Sequence, residues 1–447
     1  MTGLSRHIAE WAAALKFEDI PPVTIGAAKT RLLDTLAVSW AGSDAEGIGA
    51  LREMLVDQGG RADSTVLAYG DKLPAGAAAL LNSAMGAALD FDGLHEKSGV
   101  HTDIAVLPAA LALAEKHDAS GKDLLTAICA GEEVLIRLGL SVGTGPGWFN
   151  SSVFGVFAAT IAAGKILGLD AGRMNAALGV AFCHASGSQQ SLVENSLTKR
   201  FQSGFAAQAG ISAAEMANVG IGGPLQSLEG KFGVSTLFLP INHSVILEGL
   251  GTTFHMDELT LKKYPSCFCN HAAIEAALHL VNEHNLGADD IQSITVTVSP
   301  FIERVVGEPF DAAEATQVTA QFNISYSIAC ALHRRRFTLT DIEIEAIRDP
   351  GVSALAGKVI IDVDPSNENR FAPIELSLQT VEDKRFTTRV EELPGTPRKP
   401  IGRQELLAKA AQCFAMGVQP LSTGQIETQI ERLRDVDSMA KVENLSS

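Results

Sequence analysis

Apolar positions along the chain fall into two regimes. From residue 1 to about 262 they recur at helical spacing. Leu4, Ile8, Trp11, Ala12 and Leu15, with Arg6, Glu10 and Lys16 between them, predict an amphipathic helix over residues 1–17. Pro21-Pro22 then precede a helix holding Ala27, Leu32, Leu33, Leu36 and Ala37. Ala-rich blocks predict further helices over 75–89, 106–116, 123–138, 153–167 and 202–219. So many Ala and Gly let helices approach closely, which points to a large bundle with a tight interior. Within this region only residues 64–69 read as a strand.

The pattern changes near Tyr264. Residues 291–299 alternate with period two and predict a strand; 359–363 predict another, and 374–381 with 385–390 a hairpin around Glu382-Asp383-Lys384. Residues 316–332 and 340–347 read as helices, the second capped by Thr340. After a turn-rich stretch over 394–400, helices resume over 404–415 and 423–433. The expected fold is mainly α: a large all-helical domain from residues 1–262 plus 400–447, with an inserted smaller α+β lid domain over 263–399.

A chain of 447 residues accommodates two such domains. Its net charge of −17 excludes nucleic acid as a partner, because phosphate neutralisation needs a basic face. An anionic substrate would have to be held by local Lys, Arg and His. The six Cys, at 129, 183, 267, 269, 330 and 413, lie mostly in apolar segments and read as thiols of a reducing compartment. No apolar run reaches the ~18 residues that cross a bilayer, and residues 1–17 lack the pattern of a secretory signal. These features predict a cytoplasmic protein without membrane contact.

The densest chemistry lies in Ala88–Asp103, where Asp90, Asp92, His95, Glu96, His101 and Asp103 stand between two apolar runs. Buried polar groups must be paired or used, so this segment predicts a polar cavity. The same side chains are possible metal ligands, but they match no spacing that recurs for zinc or calcium. Alternatively, Asp90 and Asp92 brace helices and His101 satisfies backbone groups. Lys199 and Arg200 open a predicted helix, where cations oppose the macrodipole; a bound anion would resolve the conflict. Tyr326 sits in an apolar helix, where its hydroxyl needs a partner. Gly143-Thr-Gly-Pro-Gly147 reads as a turn, Gly220–Pro224 as a helix stop, and Cys267-Phe-Cys269 lacks the second ligand pair of a zinc site.

Three segments resemble the MmgE/PrpD family: Ala88–His101; Thr198-Lys199-Arg200-Phe201 with Gly204, Ala206, Ala207 and Gly210; and Gln321-Phe322 with Tyr326 and Ala329. Tyr264-Pro-Ser-Cys267 with His271 is close to a further family block. The resemblance implies a helical domain plus a smaller lid, a homodimer, and catalysis without cofactor or metal. It places Asp90, His101, Lys199 and Tyr326 in the active site, with His271 beside them. Two departures stand out. Asp92-Gly93-Leu94 replaces the family's Asp-Asp-Thr, and Phe149 stands where dehydratase and decarboxylase members carry a His. Loss of a placed general acid costs about 10²- to 10⁴-fold in rate. The expected reaction is therefore Cα proton abstraction and return on a small dicarboxylic or polycarboxylic imino or amino acid, an iminodisuccinate-like epimerisation. Lys199, Tyr326 and His101 are its expected catalytic residues, with Asp90, Arg200, His95 and His271 binding the substrate. The rival readings are a hydro-lyase or decarboxylase on a citrate-like acid, and a non-catalytic metabolite-binding member.

Overall fold

The computed structural model describes residues 3–143, 147–442 and 445. The protein is mainly α, as the periodicity predicts, and falls into two compact units. One comprises Met1–Ala88, Asp92–Thr260 and Gly402–Ser447; the other comprises Leu89–Phe91 and Leu261–Ile401.

The first unit is built on helices α1 (Leu4–Ala14), α2 (Pro22–Ala41), α3 (Ala75–Ala88), α4 (Asp103–Lys116), α5 (Gly121–Leu140), α6 (Gly155–Ile166) and α7 (Thr198–Asn218). Local chemistry sets their starts. Pro22 opens α2, where a missing N–H costs nothing, and Ser120 with Asp123 forms a reciprocal capping box on α5. Every residue of α6 from Gly155 to Gly164 is buried, which suits an apolar helix at the centre of the unit. Small residues permit this packing. A Cβ at Gly204 of α7 would sit 2.6 Å from the Leu80 carbonyl oxygen, and one at Gly210 would sit 2.6 Å from Ala159 Cβ.

The expected strand over 64–69 is only β1 (Ser64–Thr65), paired antiparallel with β2 (Lys72–Leu73). The chain turns at once because the Gly70 N–H reaches back to the Val66 carbonyl. Helix α7 stops where the sequence predicts. Gly220, at φ 91°, donates to Ala217, and the Ile221 N–H caps the Met216 carbonyl. The expected helices near the C-terminus are Arg403–Phe414 and Thr423–Arg434, and both pack on α2. The turn expected at 143–147 falls largely on residues 144–146, outside the described ones.

The second unit holds β3 (Ile291–Val298), β4 (Val359–Val363), β5 (Ile374–Thr380) and β6 (Arg385–Val390), in the order β4-β3-β5-β6. β3 and β4 run parallel and the other pairs antiparallel, with Val296 opposite both Ile361 and Leu376. Ile294, Val296, Ile374, Leu376 and Leu378 are buried, and helix α8 (Phe268–Glu283) packs against β5 and β6. The single helix expected over 316–332 is two: Gln317–Gln321, then α9 (Ile324–Arg334). Asn323 divides them. Its backbone is extended and its side-chain oxygen accepts the Tyr326 N–H at 2.9 Å, a cap that competes with helix continuation. The segment over 340–347 is a 3-10 turn, Leu339–Ile342, then a four-residue helix. No helix among the described residues is long and apolar enough to cross a membrane.

Candidate active site

In the first unit the loop before α4 presents His101. His95 and Val100 face each other across a tight turn, His95 N–H donating to the Val100 carbonyl and Gly99 N–H to His95. The His101 N–H is held by Ser151 Oγ at 2.9 Å. Its Nδ1 lies 2.6 Å from Asp92 Oδ2; that carboxylate is fully buried while the imidazole keeps 18% exposure. A carboxylate on one ring nitrogen fixes orientation and tautomer, so Nε2 is the nitrogen positioned to exchange a proton. The Phe149 ring lies 6.2 Å from the imidazole, centroid to centroid.

Behind this pair stands Arg31 of α2, fully buried. It donates to Thr102 Oγ1 at 2.6 Å, Asp103 Oδ1 at 2.9 Å and the Met256 carbonyl at 3.1 Å, and its Nε lies 3.2 Å from Glu132. Burial opposes the Arg31 charge, but Asp103 and Glu132 more than offset it, and its pKa ends above the ordinary value. Burial, then the neighbouring Asp103, pushes the Glu132 carboxyl well up. The clamp therefore fixes the two residues that follow His101. It also explains Gly93: a Cβ there would lie 2.4 Å from Asp103 Oδ2. A third buried carboxylate, Asp34, pairs with Lys409 at 2.8 Å, yet burial outweighs that ammonium and raises its pKa to about 6.

His95 is buried in the turn, its Nδ1 at 2.9 Å from Ser98 Oγ. Burial, then the Arg31 charge, lowers its pKa to about 4, so near neutral pH the ring is uncharged and does not attract a carboxylate as a cation would. Lys199 and Arg200 lie in the first turn of α7 and are 7% and 2% exposed. Arg200 commits one N–H to the Glu46 carbonyl at 2.7 Å, so its guanidinium is partly spent on the fold. The short helix Asn150–Val153 ties this turn to the His101 loop: Ser152 Oγ donates to the Gln202 carbonyl at 3.0 Å, and Ser151 holds His101.

In the second unit Asp90, with φ at +49°, receives Lys262 Nζ at 2.7 Å on its carboxylate and at 2.8 Å on its own carbonyl. Both residues are buried. Sequence reasoning missed Lys262, although it stands two residues before the Tyr264-Pro-Ser block. His271 is fully buried, its Nε2 3.3 Å from the Ser266 carbonyl and its ring packed by Tyr264 and Phe268. Tyr326 is also fully buried, its O–H donating to the Asp341 carbonyl between Phe310 and Phe337. Burial raises its phenol pKa strongly, the opposite of what a base requires. Among the described residues no three His, Cys, Asp or Glu side chains are grouped to hold a metal ion.

The chain matches the MmgE/PrpD N-terminal domain over residues 6–244 and the MmgE/PrpD C-terminal domain over 264–434. It is similar to cis-aconitate decarboxylase of Aspergillus terreus, 28% identical over 384 residues, 80% of this chain and 78% of that protein. It is likewise similar to cis-aconitate decarboxylase of Homo sapiens, 28% identical over 457 residues (98% and 93%), and of Mus musculus, 26% over 464 (100% and 93%). These relatives support the expectation of an enzyme and overturn the expectation of an epimerase. The physical reason lies in two departures that were over-read. Phe149 removes one imidazole, but His101 keeps another, held 2.6 Å from the Asp92 carboxylate. Gly93 is the residue that leaves room for the Asp103 carboxylate. The two domain matches together take in most of the chain, and the protein belongs to the MmgE/PrpD family.

Proposed function

We propose that this protein is a decarboxylase of an unsaturated tricarboxylate of the cis-aconitate type. The observation that carries the proposal is the pair of Asp92 and His101, 2.6 Å apart, one buried and one partly exposed, in a chain aligned along nearly its full length with a decarboxylase. Loss of CO₂ leaves an electron pair on the carbon skeleton, which must take up a proton. His101, aimed by Asp92, delivers that proton and regains it from water. Lys199 attracts a substrate carboxylate at the start of α7, where the helix dipole also favours an anion. Arg200 supports that turn through Glu46.

The test is incubation of the purified chain with cis-aconitate, measuring released CO₂ and product by NMR in D₂O. One equivalent of CO₂ per product, with one deuterium on its carbon skeleton, is the expected result. Consumption of cis-aconitate without CO₂, or no turnover across a panel of unsaturated tricarboxylates, overturns the reading.

A further inference from the structure

Gln202 stands three residues after Lys199 on α7 and is 6% exposed. An amide so placed has an oxygen and an NH₂ to satisfy. Its Oε1 accepts the Ser188 N–H at 2.7 Å, and its Nε2 donates to the Ser188 carbonyl at 3.1 Å and to Ser191 Oγ at 2.9 Å. The other edge of Ser188 explains this pairing. Residues 187–189 run antiparallel to 147–149, the Phe149 N–H donating to the Gly187 carbonyl at 3.2 Å and the Gln189 N–H to the Gly147 carbonyl at 2.8 Å. In such a pair alternate residues turn their N–H and carbonyl outward, and Ser188 is the one that does so here. The Gln202 amide takes the place of a third strand. Gly187 lets this strap lie close: its φ is +139°, and a Cβ there would sit 2.8 Å from Ser152 Cβ.

Both sides of this joint lead to the proposed site. Lys199 lies in the first turn of the helix that carries Gln202. On the other side, residues 147–152 include Phe149, whose ring lies 6.2 Å from the His101 imidazole, and Ser151, whose Oγ holds the His101 N–H at 2.9 Å. Gln202 reaches this segment twice: its side chain through Ser188, and its carbonyl through Ser152 Oγ at 3.0 Å. We propose that Gln202 is a positioning residue, which fixes His101 relative to the Lys199 turn through the 187–189 strap and Ser152. The inference rests on the decarboxylase reading, in which Lys199 attracts a substrate carboxylate and His101 delivers the proton. Gln202 itself moves no proton. The two groups it joins must be in register, and a misplacement of about 1 Å costs about 10²-fold in rate.

The test is Q202L in the full chain, which keeps the side chain's bulk and removes its hydrogen bonds. Ser188 is exposed, so water takes over its N–H and carbonyl. With cis-aconitate, kcat should fall about 10²-fold. KM should stay within about threefold, because the Lys199 turn is untouched and the loss falls on the transition state. G187A disturbs the strap from its other side and leaves Gln202 intact, so it carries the same measurements if Q202L does not fold. It should lower kcat in the same way, and the double variant should fall little further than the lower single one, since both break one link. A second readout needs no turnover. In chain labelled with ¹³C-histidine, the His101 resonance, assigned with H101Q, should move in Q202L and in G187A. His279 and His333 of the second unit should keep theirs. The proposal needs both results: an unmoved His101 resonance overturns it, and so does a kcat within about threefold of the original. Movement of His279 and His333 as well overturns it too, because that marks general loosening. If the unsubstituted chain releases no CO₂, the decarboxylase reading fails on its own, and the His101 resonance alone decides whether Gln202 positions the ring.

Discussion

Asp90 and Asp92 are separated by one phenylalanine, and both carboxylates are buried, but they have different partners. Asp90 faces an ammonium, Lys262 Nζ, that bonds to its side chain and its carbonyl together. Asp92 faces an imidazole whose ring remains partly exposed. A buried carboxylate with a buried ammonium fixes geometry: neither can lose its partner without stranding a charge. A buried carboxylate with a part-exposed imidazole instead orients a ring that solvent and substrate can reach. Identical acids two positions apart therefore serve different ends, and the partner decides which.

The sharpest way to break this comparison is at His101. H101Q should lower kcat for decarboxylation by about 10²- to 10⁴-fold, the loss of a placed acid, while circular dichroism and melting stay close to the unsubstituted protein. D92N should fall in the same direction by a smaller factor, because the ring remains but its orientation is lost. If H101Q retains activity within about threefold, far inside that range, the Asp92 pair is a brace like the Asp90 pair and the distinction fails.

Next is the ion pair itself. K262M takes the ammonium away from the buried Asp90 carboxylate and should cost about 3–5 kcal/mol in unfolding free energy, read by urea denaturation of the full chain. Adding D90N should recover much of that loss, since an amide is cheaper to bury than a carboxylate that has lost its counter-charge. A K262M protein as stable as the original would show that Asp90 is not held by this ammonium.

Asp34 sharpens the comparison, because it has an ammonium partner in Lys409 and still shifts upward. Its folded pKa of about 6 exceeds the ordinary 3.8, so between those values the native state holds the extra proton and stability falls as pH rises from about 4 to 6. His95 runs the other way. Its folded pKa of about 4 lies below 6.5, so the unfolded state holds the extra proton and stability falls as pH drops from about 6.5 to 4. Both groups are buried, and each contribution is on the order of 3 kcal/mol. The two slopes oppose each other in the unsubstituted protein. Denaturant titrations between pH 4 and 6.5 should show stability rising with pH more steeply in D34N, and less steeply or falling in H95Q. Unchanged slopes in both would mean that neither group titrates as its surroundings require.

The sequence made some of this legible and hid the rest for identifiable reasons. The helices were readable because period and caps agree locally: Ser120 with Asp123 on α5, and Gly220 closing α7. His101 and the two aspartates stood out because polar groups between buried runs are costly. Lys262 did not, because a single lysine becomes informative only when the fold brings it to Asp90, 172 positions away. Gly93 was misread for the same reason: a sequence shows an absent side chain but not the Asp103 oxygen that needs its space. The break at Asn323 was missed because residues on both sides suit a helix, and one side-chain cap outcompetes them.

Tyr326 gives the smallest expected effect. Its hydroxyl is buried and donates to a backbone carbonyl, and its phenol is pushed up, not down. Y326F keeps the ring between Phe310 and Phe337 and removes one donor, leaving the Asp341 carbonyl to lose its bond. The cost should be about 1–2 kcal/mol of stability, with kcat/KM changed by less than about tenfold, below the range for loss of an acid or base. A phenol acting on substrate would show the reverse pattern, with stability nearly unchanged and turnover down by about 10²-fold or more. Measuring both quantities on the one variant separates the roles, because a hydroxyl that holds Asp341 affects the melt and one that moves a proton affects the rate.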